Sequence, residues 1–483
     1  MPDRTWAEAD APNDGWMVTA LLTVLWLATL PLGSKRIWVL AVLVFTVFAL
    51  CLCTAWLWRR HIDEAVQRLK QVRWPLGLLV ALAAWMALQG APLPGMLVRL
   101  LSPEAWAVQQ GVAPAFTLSL DPQTTRTQAA FGLALALYFS MVTLTLRDRR
   151  RIDRAVMGLV AVGLFQALLG LFLWSTQAKY SFLHFDVSHD VVKGTFGNRN
   201  HAAGFFMLVL SMGIGLMVAR LGAGTASRSA HWRGWLTGAM AFLLSDKMRL
   251  RLMLVVLVMA LVLTRSRMGN SAFFAALLIV GAITLVLTRR SAPAMITLIA
   301  SLVVIDIAVV GTWIGLEQVL QRVQGTELLM EHGGREESVE QRQLPARYTL
   351  GLLRDFPLTG TGAGSFYGSF LRYQPPSDQF FDHAHNDYAE LAADWGLVGF
   401  ALAALLVLLS AGLFLRTLKT RRSSMARGMA FGALMGMAGM AIHATVDFNL
   451  NVPVNALLMV LVLAVGWSAA MLPSQSRDQR SVE

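Results

Sequence analysis

The sequence predicts an all-α polytopic membrane protein of about twelve transmembrane helices, with one long polar loop between the ninth and the tenth. Three observations predict it. Of the 483 residues 56% are hydrophobic and only 14% charged, with a mean hydropathy of +0.55, which excludes a soluble globular domain. Apolar runs recur along the chain, each near the ~20 residues that a bilayer core requires. Lysine and arginine collect between those runs, in alternate connections.

The runs fall at about 17–33, 37–58, 75–91, 127–146, 153–174, 201–219, 252–264, 271–288, 294–316, 391–415, 427–447 and 453–471. Residues 1–16 form a polar, partly acidic tail without the basic start of a cleaved signal, so the first run is expected to stay as an anchor. The 252–264 run is short, and the apolar patch at 234–244 suits a re-entrant or interfacial helix. Gly428, Gly432 and Gly436, four apart, mark a face for close helix packing. Asp306 sits in the middle of the ninth run, where a carboxylate is costly and a partner or cavity is expected.

Basic residues set the orientation. They crowd the connections at 59–73, 147–154, 220–251, 289–290 and 416–427, so those are expected in the cytoplasm, with both termini. The connections 92–126, 175–200, 265–270, 317–390 and 448–452 are expected on the other side. The expected organisation is a cytoplasmic tail (1–16), helices one to nine (17–316), a catalytic loop (317–390), helices ten to twelve (391–471) and a second cytoplasmic tail (472–483).

A net charge of +12 and a pI near 10.4 would suit a nucleic-acid partner if the cations shared a face. Here they follow topology, so no nucleic acid is expected. Cys51 and Cys53, the only cysteines, lie two apart in one apolar helix, point in different directions and cannot bridge.

Against this lipid-like background one stretch stands apart: Phe381-Asp382-His383-Ala384-His385-Asn386-Asp387-Tyr388, then Glu390, Asp394, Trp395 and Gly396. Ionisable groups so concentrated in a membrane protein have a use beyond capping the next helix. On the same expected side lie Lys193-Gly194-Thr195-Phe196-Gly197-Asn198-Arg199-Asn200-His201 and the short turn Arg265-Ser266-Arg267. Arginine is depleted there, and snorkelling to headgroups is the plain explanation. The chemical one is that guanidinium grips phosphate oxygens in pairs and keeps its charge. A ligand reached by Arg199, Arg265 and Arg267 would carry a diphosphate.

The long loop opens with a charged half, Glu317 to Arg347, read as exposed helix and turn, including Glu331-His332-Gly333-Gly334-Arg335-Glu336-Glu337. Its alternate glycines, Gly360, Gly362 and Gly364, lack the strand–helix context of a nucleotide cradle and read as a tight turn at the membrane surface. Arg347, Arg354 and Arg372 are near enough in sequence to add positive potential. His443 and Asp447, four apart, are expected to share a face of the eleventh helix and border the site. No metal is expected: His383 and His385 diverge by about 200° in a helix, and no second ligand pair has the familiar spacing.

Together, Gly194-Thr195-Phe196-Gly197-Asn198-Arg199-Asn200-His201, the Ser266-Arg267 turn, Gly360 to Phe366 and His383-Ala384-His385-Asn386 resemble the O-antigen ligase and polymerase superfamily, over roughly 125–470. The ligase signature runs histidine, Asn/Ser/Gln, nine residues, glycine, two residues, threonine. Here His385-Asn386 and Gly396 fit, and Gly399 stands where threonine is expected. The resemblance implies a metal-independent, inverting glycosyltransferase without cofactor, in the bacterial inner membrane with its active site facing the periplasm. Its donor would be an undecaprenyl-diphosphate-linked glycan. Its acceptor would be lipid A–core for a ligase, or a lipid-linked repeat for a polymerase of O-antigen or exopolysaccharide. The signature falls on His385, which is then the expected base, since imidazole titrates near the working pH. Arg199, Arg265, Arg267, Asn198, His201, His383 and Asn386 are the expected substrate-binding residues. A twelve-span polysaccharide transporter is the rival, but it would place its polar residues at mid-membrane and show two related halves.

Overall fold

The computed structural model describes residues 12, 14–30, 32–176, 191–221, 245–288, 339–375 and 381–473. The patch at 234–244, the ninth run with Asp306, the first part of the long loop to 338 and the second tail from 474 lie outside the described residues. Within them the chain is helical throughout, with no strand.

The helices are α1 (Met17–Thr29), α2 (Ile37–Trp58), α3 (Ile62–Gln71), α4 (Arg73–Gln89), α5 (Gly95–Leu101), α6 (Pro103–Gln109), α7 (Pro122–Thr145), α8 (Arg149–Ser175), α9 (Arg199–Leu221) and α10 (Asp246–Leu263). They continue with α11 (Arg267–Thr288), α12 (Val339–Asp355), α13 (Phe366–Ser369), α14 (Asp387–Thr420), α15 (Ser424–His443) and α16 (Pro453–Ala470). Eight of them, α2, α7, α8, α9, α11, α14, α15 and α16, are long and apolar enough to cross a membrane. That is four fewer than the runs expected; the ninth run lies outside the described residues, and the other three have identifiable reasons. At 13 residues α1 is short, and α10 carries Asp246, Lys247, Arg249 and Arg251 in its first turns. The α3–α4 pair bends by 86° and makes a ninth span only if taken as one.

The bend has a local cause. The expected basic loop at 59–73 is instead mostly helix α3, with Asp63 and Glu64 in its first turn and Arg68 and Lys70 in its last. That arrangement complements the helix dipole. None of α3 is buried, as suits a helix lying in a membrane interface.

Packing centres on α9, whose apolar window is 94% buried. It crosses α15 where Gly215 meets Gly428 and Gly432, and a Cβ at Gly428 would collide with the Gly215 carbonyl. Small residues permit this approach, and dispersion then holds the helices together in lipid. Helix α15 ends at His443, so Asp447 lies in the turn beyond it rather than on a shared helical face.

The described connections gather at two ends of the bundle. At one end the fully buried Asp14 accepts from Arg147 at 2.9 Å and Arg151 at 2.5 Å, and Arg220 forks onto Asp153 at 2.7 Å. The connections at 34–36, 191–200, 264–266, 381–386 and 444–452 gather at the other. There Val192 N–H donates to Leu263 O at 3.0 Å, and Asp387 N–H to Ala444 O at 2.9 Å.

That end carries a folded cap. Val98, Leu118, Leu352, Phe356, Phe366 and Phe370 form a second apolar core that takes in Phe381, Ala384 and Ala393. Of the stretch from Glu317 to Arg347 expected as exposed helix and turn, only 339–347, the first part of α12, is among the described residues. Arg372 pairs with Glu104 at 2.8 Å, so its charge is matched. Tyr373 donates to Asp355 at 2.6 Å, and burial together with that bond pushes its phenol upward.

The alternate glycines latch the cap to α14, which is broken at Gly396 (φ 64°, ψ −177°). Thr361 N–H reaches Ala393 O, Gly362 N–H reaches Asp394 O, both at 2.9 Å, and Gly364 N–H reaches the Asp394 carboxylate at 2.8 Å. Gln89 closes the knot by donating to Thr359 O and Asp394 O. Gly360 and Gly396 both have positive φ and lie backbone against backbone, where a Cβ would collide. The amides that a phosphate cradle would need are already engaged.

Candidate active site

Phe448 is the residue around which the site is built. The His383 ring stacks on it with centroids 3.8 Å apart and planes 16° apart. His385 and His201 meet it edge-on at 5.3 and 4.8 Å. Lys35 Nζ lies 4.9 Å from its centroid. Three histidines separated by up to 184 positions thus share one phenyl ring, delivered by the α15–α16 connection.

The first turn of α14 holds the histidine segment in place. Asn386 caps the helix: its Oδ1 accepts from Ala389 N–H at 3.1 Å, while its Nδ2 donates to Thr445 O at 3.0 Å. Both ends of that amide are therefore engaged in structure. Asp387 is buried and accepts from Leu450 N–H at 3.1 Å and Asn451 Nδ2 at 3.2 Å, tying the turn to the α15–α16 connection.

Glu390, one turn further, is 3% exposed. One carboxylate oxygen is 2.7 Å from His383 Nδ1 and accepts from Asn451 Nδ2 at 3.2 Å; the other accepts from Ala384 N–H at 2.8 Å. The His383 ring is thereby fixed on its face by Phe448 and at its edge by a carboxylate. His385, half-buried, takes a left-handed backbone (φ 48°), a conformation costly for a residue with a side chain and frequent at working sites.

His201, near the start of α9, is placed deeper than the sequence suggested. It is 5% exposed, its carbonyl accepts from Asn455 Nδ2 at 3.1 Å, and its Nε2 lies 3.7 Å from Asp447. His443 is also buried and meets Asn449 at 3.2 Å, and Asn449 in turn meets Asn455. These groups form a polar floor beneath Phe448.

The arginines are brought together by neutral groups. Ser266 donates to Asn200 Oδ1 at 2.8 Å, joining the turn before α11 to the start of α9. Asn198 Oδ1 accepts from Asn200 N–H at 2.8 Å and shapes that start. Arg199 is half-exposed beside this link, and Arg265 and Arg267 on either side of Ser266 are exposed. Arg265, like His385, has positive φ (52°). Neither Arg265 nor Arg267 makes an ion pair among the described residues.

Sequence reasoning missed Lys35, Phe448, Asn451 and Asn455, and it named Glu390 without a role. Lys35 did carry a signal, because Lys35-Arg36 is a basic pair in a connection where the charge rule expects few cations. The others are ordinary residues whose part depends on long-range contact. Gly399, where the ligase signature has threonine, is backed by Trp85, and a Cβ there would lie 3.0 Å from the indole. That indole also donates to Trp395 O at 2.8 Å, so in this chain Trp85 covers the position.

No curated protein matches the chain. Residues 252–404 match the family model described as O-antigen ligase. The match takes in Arg265, Arg267, His383, His385, Asn386 and Glu390, and leaves Lys35, Arg199 and the Phe448 connection outside it. From residue 252 to residue 404, then, this chain is similar to the O-antigen ligases, as its motifs indicated.

Proposed function

We propose that the protein is an O-antigen ligase-like, metal-independent glycosyltransferase. It would move a glycan from undecaprenyl diphosphate to a sugar of lipid A–core at the periplasmic face of the inner membrane, for lipopolysaccharide biosynthesis. The observation that supports this most is the meeting of His383 and His385 on Phe448, next to a helix start that joins Arg199 to the Arg265–Arg267 turn. Proton acceptors and diphosphate ligands are what such a transfer needs.

In the proposed step the acceptor hydroxyl oxygen attacks the anomeric carbon from the face opposite the diphosphate, and the configuration inverts. The carbon–oxygen bond to phosphate breaks, and its electron pair leaves with the diphosphate. The hydroxyl proton passes to the His385 imidazole. The leaving group is already anionic, so it needs cations rather than an acid, and Arg199, Arg265 and Arg267 supply them. His383 is held by Glu390 to orient the acceptor. Asn198, Asn386 and His201 serve by shaping the helix starts and the floor on which these groups stand.

A polymerase that uses a lipid-linked repeat as acceptor is the second reading, favoured by Gly399 in the threonine position of the ligase signature. Purified protein in detergent, given labelled lipid-linked glycan, tests both. Transfer to lipid A–core supports the ligase, and chain growth on the donor itself supports the polymerase. No transfer to either, with glycan crossing sealed vesicles instead, would make the protein a transporter. Cysteine labelling of positions 266 and 385 from opposite sides of the membrane would end the shared-site reading.

A further inference from the structure

Lys35 lies in the connection between α1 and α2, far in sequence from the stretch that matches the O-antigen ligases. Its turn is rigidly held. Residues 32, 33 and 34 all have positive φ, Ser34 donates to Ala28 O at 2.8 Å, and Gly33 is wedged against Phe196, Val452 and Val454. The turn therefore presents Lys35 to the Phe448 ring as a fixed feature of the fold.

His383, stacked at 3.8 Å, covers one face of that ring and leaves no room there for an ammonium, so Lys35 takes the other. The arginine-bearing start of α9 reaches the same ring through His201, whose plane is turned 73° from it at 4.8 Å. Among the described residues the only carboxylate within ion-pair distance of Lys35 is Asp382, at 3.8 Å, with the two side chains 44% and 49% exposed. An exposed pair of that length holds weakly and exchanges readily for a better anion.

We propose that Lys35 binds a phosphate carried by the acceptor, leaving Asp382 when that acceptor arrives. The proposal rests on the transferase reading above. An inverting displacement keeps the departing diphosphate and the incoming hydroxyl on opposite sides of the anomeric carbon. Lys35 comes from a different connection than the arginines and pairs with Asp382, next to His383, the residue read above as orienting the acceptor, so it is assigned to the acceptor's side.

The test uses purified full-length protein, undecaprenyl-diphosphate-linked glycan as donor, and two phosphate-bearing acceptors in separate arms, lipid A–core and a lipid-linked repeat. Lys35→Ala should raise the KM for one of these acceptors about tenfold, the size of one lost charge-assisted contact. The donor KM should not move, and Lys35→Arg should restore most of the affinity. Lipid A–core stripped of its phosphates should bind wild type and Lys35→Ala alike. Unchanged KM for both acceptors, or a change confined to the donor, overturns the proposal. If wild type transfers nothing, the transferase reading fails, and equilibrium binding of intact and stripped lipid A–core without donor still decides this one. Phosphate-dependent binding that Lys35→Ala loses upholds it, and equal binding by the two proteins overturns it.

Discussion

At one end of the bundle Arg147 and Arg151 close on buried Asp14, and Arg220 forks onto Asp153; at the other, Arg265 and Arg267 stand exposed without an ion pair among the described residues. The same side chain is used in two ways. In the first setting two guanidiniums share the carboxylate of Asp14, which is out of water, and a third pairs with the partly exposed Asp153, so the pairs fasten helices and the start of the described chain together. In the second, the turn that carries the arginines is fixed by uncharged groups, Ser266 and Asn200, so the cations themselves are left for a ligand. The difference teaches where to look for function in a basic membrane protein. Cations matched by the fold report architecture, and cations held in place by neutral groups report binding.

Substitutions at four positions put this contrast at risk. The largest effect is expected at His385→Ala, which should lower transfer by ~10²–10⁴-fold, the range of general-base help, while donor lipid still binds. Near-normal turnover by a folded His385→Ala protein would leave the histidine end purely architectural. At the opposite end, Asp14→Ala strands two buried-side arginines and should destabilise the fold by roughly 3–5 kcal/mol. Denaturation in detergent would show this, with activity per folded molecule preserved; a loss of activity without a loss of stability would erase the distinction between the ends.

Next in size, Arg267→Ala should reduce kcat/KM by ~10–100-fold with little change in melting temperature. Arg267→Lys should recover only part of it, because an ammonium keeps the charge and loses the fork. Full activity in Arg267→Ala at normal expression would remove that arginine from the diphosphate clamp. The smallest effect separates capping from ligand contact at Asn386. Asn386→Ala should cost about 1 kcal/mol of stability through the lost helix cap, and Asn386→Asp should retain the cap. A large fall in rate for both, at unchanged stability, would instead make the amide a substrate contact.

What was legible in the sequence is whatever repeats or clusters locally. Hydropathy located α2, α7, α8 and α16 to within a few residues, and the charge rule sorted the connections between two ends. The arginine turn and the histidine pair were visible because each breaks the local expectation for a membrane chain. The platform was not visible. Phe448 is one of 24 phenylalanines, and nothing in its neighbours reveals that residues 35, 201, 383 and 385 will meet on its ring. The orientation of His383 by Glu390 was hidden for a related reason. Seven residues apart in sequence, they meet at 2.7 Å only because α14 starts between them. His201 carries its own lesson: the motif marks it as a substrate-binding residue, whereas packing against Phe448 and Asp447 makes it part of the floor.

The break at Gly396 makes α14 two mechanical parts rather than one rod. The outer part, with Asp387 and Glu390, is bolted to the cap through Asp394, Gln89 and the 360–364 turn. The inner part leaves the cap only after Leu397 N–H has donated to Pro357 O at 2.9 Å, and then packs into the bundle, where Trp467 Nε1 donates to Ser410 at 3.1 Å. A change of direction at a residue without a side chain lets one helix answer to two partners, the cap at its outer end and the bundle at its inner end. The turn that carries Asp387 and Glu390 is thereby referenced to both.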